Sequence, residues 1–437
     1  MDRYSAVILL TFAAFFLGLP AALAEEGVMS GTPPERESQV TFGNYREQPF
    51  NHWAFRNAAA PLNVVMIPRE GEIATIPQST LPEIAVRKSV DLHGRTLSFD
   101  DLFEQNFADG VVVVSGDDIR HEVYFGGFGP HAQHIWFSMT KSLVSAAFGL
   151  LVDQQKVDLQ ASPATYIPEL KGGGFERVSI QQVLDHATAI DFKENYTDTT
   201  SDFFQHYAPA LNLAWLPGAA DAQPANTDIY GVHDFLAKFI KPDPALEPGA
   251  AFDYNSSNAD VLGWLIARIS GEPLQDFLQK RIWARLGAEH DAYIAVDRAY
   301  MPVATGGMNT TLRDAARFGM MIRDQGRFRG EQVIPASWVE AILDIDDGLK
   351  ANMAANSKYA ADPWIAYHNM WWLLDEKAGE FCAVGIHGQV IYINQQADTV
   401  MAWFSSQPTA SAAGNKDFHS KLAAARALAK RLAAAQI

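Results

Sequence analysis

Strand-like runs in this chain sit toward its two ends, and helical periodicity fills the stretch between them. On the N-terminal side, Val111-Val112-Val113-Val114 is a continuous apolar run bounded by Gly110 and Gly116. His121 to Phe125 alternates, so the two read as a hairpin turning at Gly116-Asp117-Asp118. On the C-terminal side, Cys382 to Ile386, Val390 to Ile393 and Thr399 to Phe404 are three more short runs, followed by an Ala/Leu-rich helix from Lys416 to Ala435. Runs this short gain stability only by pairing. The pattern therefore predicts an α+β core whose sheet joins N-terminal and C-terminal segments.

Between those ends the spacing is helical. Leu97 to Phe107 has helical spacing, and Leu143, Ala146, Ala147, Leu150 and Leu151 make Met139 to Asp153 a buried helix that begins at or just before Ser138. From about 158 to 330 the periodicity predicts an all-helical insertion with long polar connections, one of them the Ala/Asp/Pro-rich stretch Leu216 to Asn226. Residues 25–60 are polar until Phe50, Trp53 and Phe55, and read as an extended arm laid on a domain surface. The organisation expected is a leader over 1–24, an arm and extension over 25–95, and a catalytic domain over 96–430.

Arg3, the apolar run Ala6 to Leu19, and Ala22-Leu23-Ala24 before Glu25-Glu26 follow the order of a cleavable secretory signal. About 14 apolar residues fall short of the roughly 20 that span a bilayer, so the expectation is a periplasmic or secreted protein with no stable membrane anchor. With 34 Lys+Arg against 51 Asp+Glu, the net charge of −17 repels a phosphate backbone and argues against a nucleic-acid partner. A single cysteine, Cys382, makes neither an internal disulfide nor a cysteine-based zinc site. His131 and His134 lack a carboxylate at ligand spacing, so no metal and no cofactor are expected. The phosphate-binding glycine motifs and G-x-S-x-G are absent.

Three local features carry chemistry. Ser138-Met139-Thr140-Lys141 opens the buried helix and sets a lysine one turn from a serine, within reach of its hydroxyl. A serine is a weak nucleophile without a base, and lysine serves as one when burial and the helix N-terminus lower its pKa. Tyr254-Asn255-Ser256 arrives on a loop and can pass a proton. Gly385-Ile386-His387-Gly388-Gln389-Val390 starts a strand with small residues whose N–H groups can face an oxyanion. Each alone also has an ordinary reading: a helix-capping serine with a solvated lysine, a packed tyrosine, a structural histidine.

Their order and spacing resemble the serine β-lactamase and penicillin-binding protein superfamily over roughly residues 95–430. Trp136 to Ser142, Val178 to His186, Phe252 to Ser256, Thr305 to Asn309 and Leu312 to Gly319 look like its class C and esterase branch. Within that branch the chain looks most similar to 6-aminohexanoate-dimer hydrolases, whose relatives share an arm such as Trp53-Ala54-Phe55 and a late His-Gly-Gln strand. The resemblance implies a β-lactamase/transpeptidase-like fold, an antiparallel sheet flanked by helices with an inserted helical subdomain. It further implies a serine hydrolase (amidase or esterase) acting through an acyl-enzyme on Ser138, with Lys141 and Tyr254 shuttling the proton. Backbone N–H groups of Ser138 and Val390 are expected to bind the oxyanion. Tyr196, Ser256, Met308, His387, Gly388 and Gln389 are expected to line the substrate site.

The departures from the β-lactam pattern matter too. His387-Gly388-Gln389 stands where relatives carry Lys-Thr-Gly or Lys-Ser-Gly, and Ser256 stands where they carry Asn. A neutral histidine supplies no fixed charge for a carboxylate, which favours a small-molecule ester or amide substrate. It also removes one cation that would depress the Lys141 pKa, so activity is expected to rise on the alkaline side. The alternatives are a D,D-carboxypeptidase or weak β-lactamase acting on cell-wall peptides or β-lactams, and a ligand-binding sensor on the same fold. The sequence leaves the acyl group, leaving group and oligomeric state open.

Overall fold

The computed structural model describes residues 27–213 and 228–435; the expected leader over 1–24 and the Leu216 to Asn226 connection lie outside them. The centre of the fold is a seven-stranded antiparallel sheet, ordered Ala366–His368, Trp371–Asp375, Glu380–Gly385, Gln389–Asn394, Thr399–Ser405, Ala108–Ser115, Asp118–Tyr124. Thr399–Ser405 pairs with Ala108–Ser115, with Val400 opposite Val114 and Trp403 opposite Val111, and this joins the two ends of the chain. Every residue of Ala108–Ser115 is buried because helices cover both faces of the sheet, which is why this strand reads as a continuous apolar run.

One face receives Leu312–Arg323 and Met139–Asp153, and the other receives Phe99–Gln105 and Lys416–Ala435. A Cβ on Gly319 would lie 2.6 Å from Val400 Cγ1 and 2.8 Å from Ile391 Cγ2, so only glycine lets that helix approach the sheet this closely. On the opposite face Trp403 meets Phe103 edge-on at 5.5 Å. The helix from Met139 to Asp153 is buried along nearly its whole length, sandwiched between the sheet and Ser257–Ser270.

The stretch from 158 to 330 is not all helical. Ala292–Ala295 and Met308–Thr310 are strands, and with Val64–Ile67 and His134–Ile135 they form a second, four-stranded sheet. Both are buried throughout and only four and three residues long, too short for alternation to show in the sequence.

Nor does the whole N-terminal arm lie on the surface: residues 27–44 are exposed or half-buried, but the segment after them enters the core. Phe50–Phe55 is a helix with Asn51, His52, Ala54 and Phe55 buried. His52 Nδ1 sits 2.6 Å from Asp109 Oδ1, while Asp109 Oδ2 accepts from Ser406 Oγ at 2.5 Å and lies 3.2 Å from His134 Nε2. His134 is thereby tied to Asp109, and His131 to His290 at 2.9 Å, so the two histidines of that motif go to different partners. No helix among the described residues is long and apolar enough to cross a membrane.

Burial alone would raise the Asp109 pKa, but the charges and hydrogen bonds of His52 and His134 outweigh it and hold the carboxyl far below its usual range. A depressed carboxyl contributes stability that is present above its unfolded pKa of about 3.9 and is lost as pH falls toward the folded value. Asp109→Asn should cost about 3–5 kcal/mol at pH 7, since it removes one partner of the buried His52–Asp109 pair. Urea unfolding of both proteins at pH 7 and at pH 5 checks this, with the gap expected to widen at pH 5, because Asp109 raises the His52 pKa against burial and the protonated ring is stabilised only in the wild type.

Candidate active site

Ser138 caps the Met139–Asp153 helix at its N-terminus, directly after Phe137, which holds a left-handed φ of 45°. That sharp turn is pinned from behind. Trp136 N donates to Met308 O at 2.8 Å, and the Trp136 indole donates to Thr310 Oγ1 at 2.8 Å, so the second sheet fixes the position of Ser138. Ser138 remains 9% exposed, enough to face the cleft.

Lys141, one turn on, is fully buried, and its Nζ donates to Ser138 Oγ at 2.8 Å and to the Thr305 carbonyl at 2.9 Å. Burial lowers its pKa to about 8, working against Glu194 and Asp260, which raise it. Tyr254 completes the cluster: the Lys141 ammonium lies 5.2 Å from its ring centroid, and Tyr254 lines the same cavity as Ser138. Burial pushes the Tyr254 hydroxyl far above its ordinary range, so near neutrality it stays a phenol.

The groups that place these side chains are less visible in sequence. His186 packs tilted against Tyr254 with ring centroids 4.8 Å apart, accepts the Asn255 N–H on Nδ1 at 2.9 Å, and is kept neutral by burial and by Lys141. On its other flank, Tyr254 stacks on Trp372 at 5.4 Å. Thr305, whose carbonyl receives Lys141, is held through its N–H by Asp260 Oδ1 at 3.1 Å, and the other Asp260 oxygen accepts from Tyr207 at 2.6 Å. Burial pushes Asp260 up to about 7. His186 closes the Val178 to His186 stretch and Glu194 stands two residues before Tyr196; Asp260 carries no local signal and is found only by tertiary contact.

Two cavities meet at Ser138. One is walled by Tyr254, Trp364, Trp372, Val384, Gly385 and Ile386, the other by Arg46, Phe137, Glu194, Tyr196, Ser256 and Ile386. Tyr196 and Ser256 therefore lie where the sequence places them, and Trp371 is core while Trp364 and Trp372 are wall.

Other expected positions differ. Val390 is buried inside its strand, paired with Val384 on one side and Trp403 on the other, and lines neither cavity at Ser138. The residue of that segment that reaches Ser138 is Ile386. A Cβ on Gly385 would fall 2.2 Å from the Trp136 carbonyl, so only glycine lets this strand end come so near the nucleophile segment. Met308 is buried in the second sheet, its N–H donating to Thr140 Oγ1 at 3.1 Å, and lines neither cavity at Ser138.

His387, Gly388 and Gln389 form a turn locked to the Ser405–Gln407 segment. His387 Nδ1 meets the Gln407 carbonyl at 2.7 Å, Gln389 exchanges hydrogen bonds with Ser405 at 2.6 and 2.9 Å, and Gly388 takes a φ of 92°. His387 therefore does not stand beside Lys141. Burial drops its pKa to about 3, and among the influences on Lys141 it is absent.

A two-sheet α+β core with a buried Ser-Lys-Tyr cluster at the mouth of a cleft defines a hydrolase of the β-lactamase/transpeptidase class. The chain belongs to the Beta-lactamase family, which matches residues 99–426. It is 32% identical over 377 residues to the 6-aminohexanoate-dimer hydrolase of Paenarthrobacter ureafaciens, across 86% of this chain and 90% of that one. A Bacillus anthracis structure provisionally assigned as a 6-aminohexanoate-dimer hydrolase superposes with a TM-score of 0.79 at 27% identity, covering 91% of this chain and 98% of that one. The D-stereospecific amidohydrolase of a Streptomyces species shares the fold, with a TM-score of 0.51 at 16% identity over 72% of this chain and 94% of its own.

With Lys141 lowered to about 8, kcat/KM for an ester should rise with pH through that region, because only the neutral amine accepts a proton. Glu194 is the larger of the two acids that raise Lys141. Glu194→Gln should therefore move the rising limb to lower pH, and a pH–rate profile of both enzymes on p-nitrophenyl butyrate reads the direction. A limb displaced upward would contradict the electrostatic arrangement described.

Proposed function

We propose that the protein is an exported serine hydrolase that cleaves a small ester or amide through an acyl-enzyme on Ser138. The observation that carries this reading is the 2.8 Å contact between the buried Lys141 Nζ and Ser138 Oγ. A lysine held out of water with its pKa lowered to about 8 is a base matched to a serine hydroxyl near neutral pH.

In the first step Ser138 Oγ bonds to the substrate carbonyl carbon as its proton passes to Lys141. The oxyanion is received by the Ser138 N–H and by the N–H of Ile386, whose strand end Gly385 brings against the nucleophile segment. Tyr254, a phenol at working pH, then relays a proton to the departing alcohol or amine as the C–O or C–N bond breaks. Water attacks the acyl group and gives its proton back through Lys141 and Tyr254, restoring Ser138. These groups accomplish the cycle without a metal or cofactor.

The amide-hydrolase relative at 32% identity supports 6-aminohexanoate-type amides as a substrate class, and the aromatic wall of Tyr254, Trp364 and Trp372 suits a flat or extended apolar chain. The charged, apolar and small-residue order of the leader supports a periplasmic or secreted location.

Ser138→Ala should lower p-nitrophenyl butyrate hydrolysis by about a thousandfold or more and abolish labelling by a fluorophosphonate probe. Retained turnover in that variant would end the proposal, and a wild-type protein that binds esters without turnover would point to the sensor alternative. Assaying the linear 6-aminohexanoate dimer, short-chain esters and a D-Ala-D-Ala peptide side by side ranks the substrate classes.

A further inference from the structure

The inner cavity at Ser138 shares Tyr45, Arg46 and Tyr196 with an outer one of about 440 Å³ that also touches Phe42, Thr197 and His387. Arg46 lines both. It is carried there by the N-terminal arm, and it is half-buried. Several arginines removed from solvent have carboxylates on them: Arg313 holds Glu122, Arg317 holds Glu289 and Asp314, Arg323 holds Asp324, and Arg426 holds Glu380, while the half-buried Arg69 guanidinium donates to the Ala288 and Gly71 carbonyls and Arg298 lies over the Tyr230 ring, away from the cleft. No carboxylate among the described residues lies within ion-pair distance of Arg46. In a chain with 51 acidic residues against 34 basic ones, an unpaired guanidinium facing the cleft stands out.

We propose that Arg46 is a carboxylate-binding residue of the substrate site, so that the esters or amides this enzyme favours carry a free carboxylate. The inference rests on the serine-hydrolase reading and adds the charge of the substrate to it.

The geometry favours Arg46 for this task over its neighbours. It lines the outer cavity together with Tyr45 of the arm, Tyr196, Thr197 and Thr199 of the following loop, and His387 of the late turn. His387 cannot share the role. The Gln407 carbonyl takes its Nδ1 proton, so in the neutral ring Nε2 is a lone pair, and burial together with Arg46 keeps the ring neutral. Glu194 lines the inner cavity but its field acts on Lys141, and it is out of ion-pair reach of Arg46.

Lys358 is the other cation at the cleft, on the far side of Tyr254. It is exposed, with its ammonium 5.4 Å from the Tyr359 ring centroid, where water screens a point charge. A half-desolvated guanidinium offers two parallel N–H donors matched to a carboxylate, and the incoming anion supplies the counter-charge the protein itself lacks. The position vacated by the strand lysine of β-lactam-processing relatives is thus answered from a different part of the chain.

The test uses two matched ester pairs on the full-length protein: 4-acetoxybenzoate against phenyl acetate, with the carboxylate on the leaving group, and mono-p-nitrophenyl glutarate against p-nitrophenyl butyrate, with it on the acyl group. The quantity read is the ratio of kcat/KM, charged over neutral. The wild type should favour the charged member of at least one pair. Arg46→Gln should lower that ratio by at least about tenfold, chiefly through KM, as expected for losing a charge-assisted hydrogen bond. Arg46→Lys should recover part of it, and added salt should erode the preference in the wild type but not in Arg46→Gln.

A ratio that moves less than twofold in both pairs overturns the inference, as does a preference lost in Lys358→Met and kept in Arg46→Gln. Ser138→Ala run in parallel separates the two claims. If it still turns over the esters, the hydrolase reading falls and this inference with it; if it is inactive while the Arg46→Gln ratio stays put, this inference alone fails.

Discussion

An ammonium group held out of water between a serine hydroxyl and a backbone carbonyl is the constraint around which the rest of this molecule is arranged. Lys141 gives up hydration to sit against Ser138 Oγ and the Thr305 carbonyl, and such a burial persists only where its surroundings are rigid and satisfied. Several elements provide that. The second sheet pins Trp136, the helix from Ser257 to Ser270 brings Asp260 to the Thr305 N–H, and His186 with Trp372 holds the Tyr254 ring over the lysine. Desolvation lowers the lysine, and the two nearby acids limit how far it falls. The balance leaves a group able to take up and release a proton near neutral pH.

The N-terminal arm is part of this machinery rather than a decoration of it. Its helix from Phe50 to Phe55 is riveted through His52 to Asp109 at the start of a central strand, and Phe55 packs edge-on against Phe137 at 5.0 Å, directly beside Ser138. The same anchoring fixes the preceding turn, which carries Tyr45 and Arg46 to the rim of the cleft. Stability and recognition are thus coupled: the buried charge cluster that holds the arm also sets the position of the only arginine facing the inner cavity among the described residues.

Much of the fold was legible because its key segments are long and uniform. The valine run, the C-terminal strands and the helix Lys416–Ala435 occur where the periodicity puts them. The short strands Ala292–Ala295 and Met308–Thr310 escaped because three or four buried residues carry no readable alternation. At the site, Ser138 and Lys141 are one helical turn apart, so their contact follows from local geometry alone. Val390 and His387 were misplaced for the opposite reason. The segment after Gly385 departs from strand geometry into a tight turn with His387 at a φ of 60°, which leaves Ile386 at the cleft and turns the next three residues toward Ser405 and Gln407.

By itself the sequence determined the α+β class, the family resemblance, and the Ser-x-x-Lys pair with its tyrosine partner, because each is written in residue type and short-range spacing. Only the tertiary structure decided that the Phe50–Phe55 helix of the arm is buried, that Asp260 and His186 support the cluster, that Ile386 rather than Val390 borders Ser138, and that Arg46 faces the cleft without a counter-ion. Those facts depend on contacts between residues tens to hundreds of positions apart. Burial and the fields of distant charges, which no local pattern encodes, set the protonation of such groups and hence what they can do.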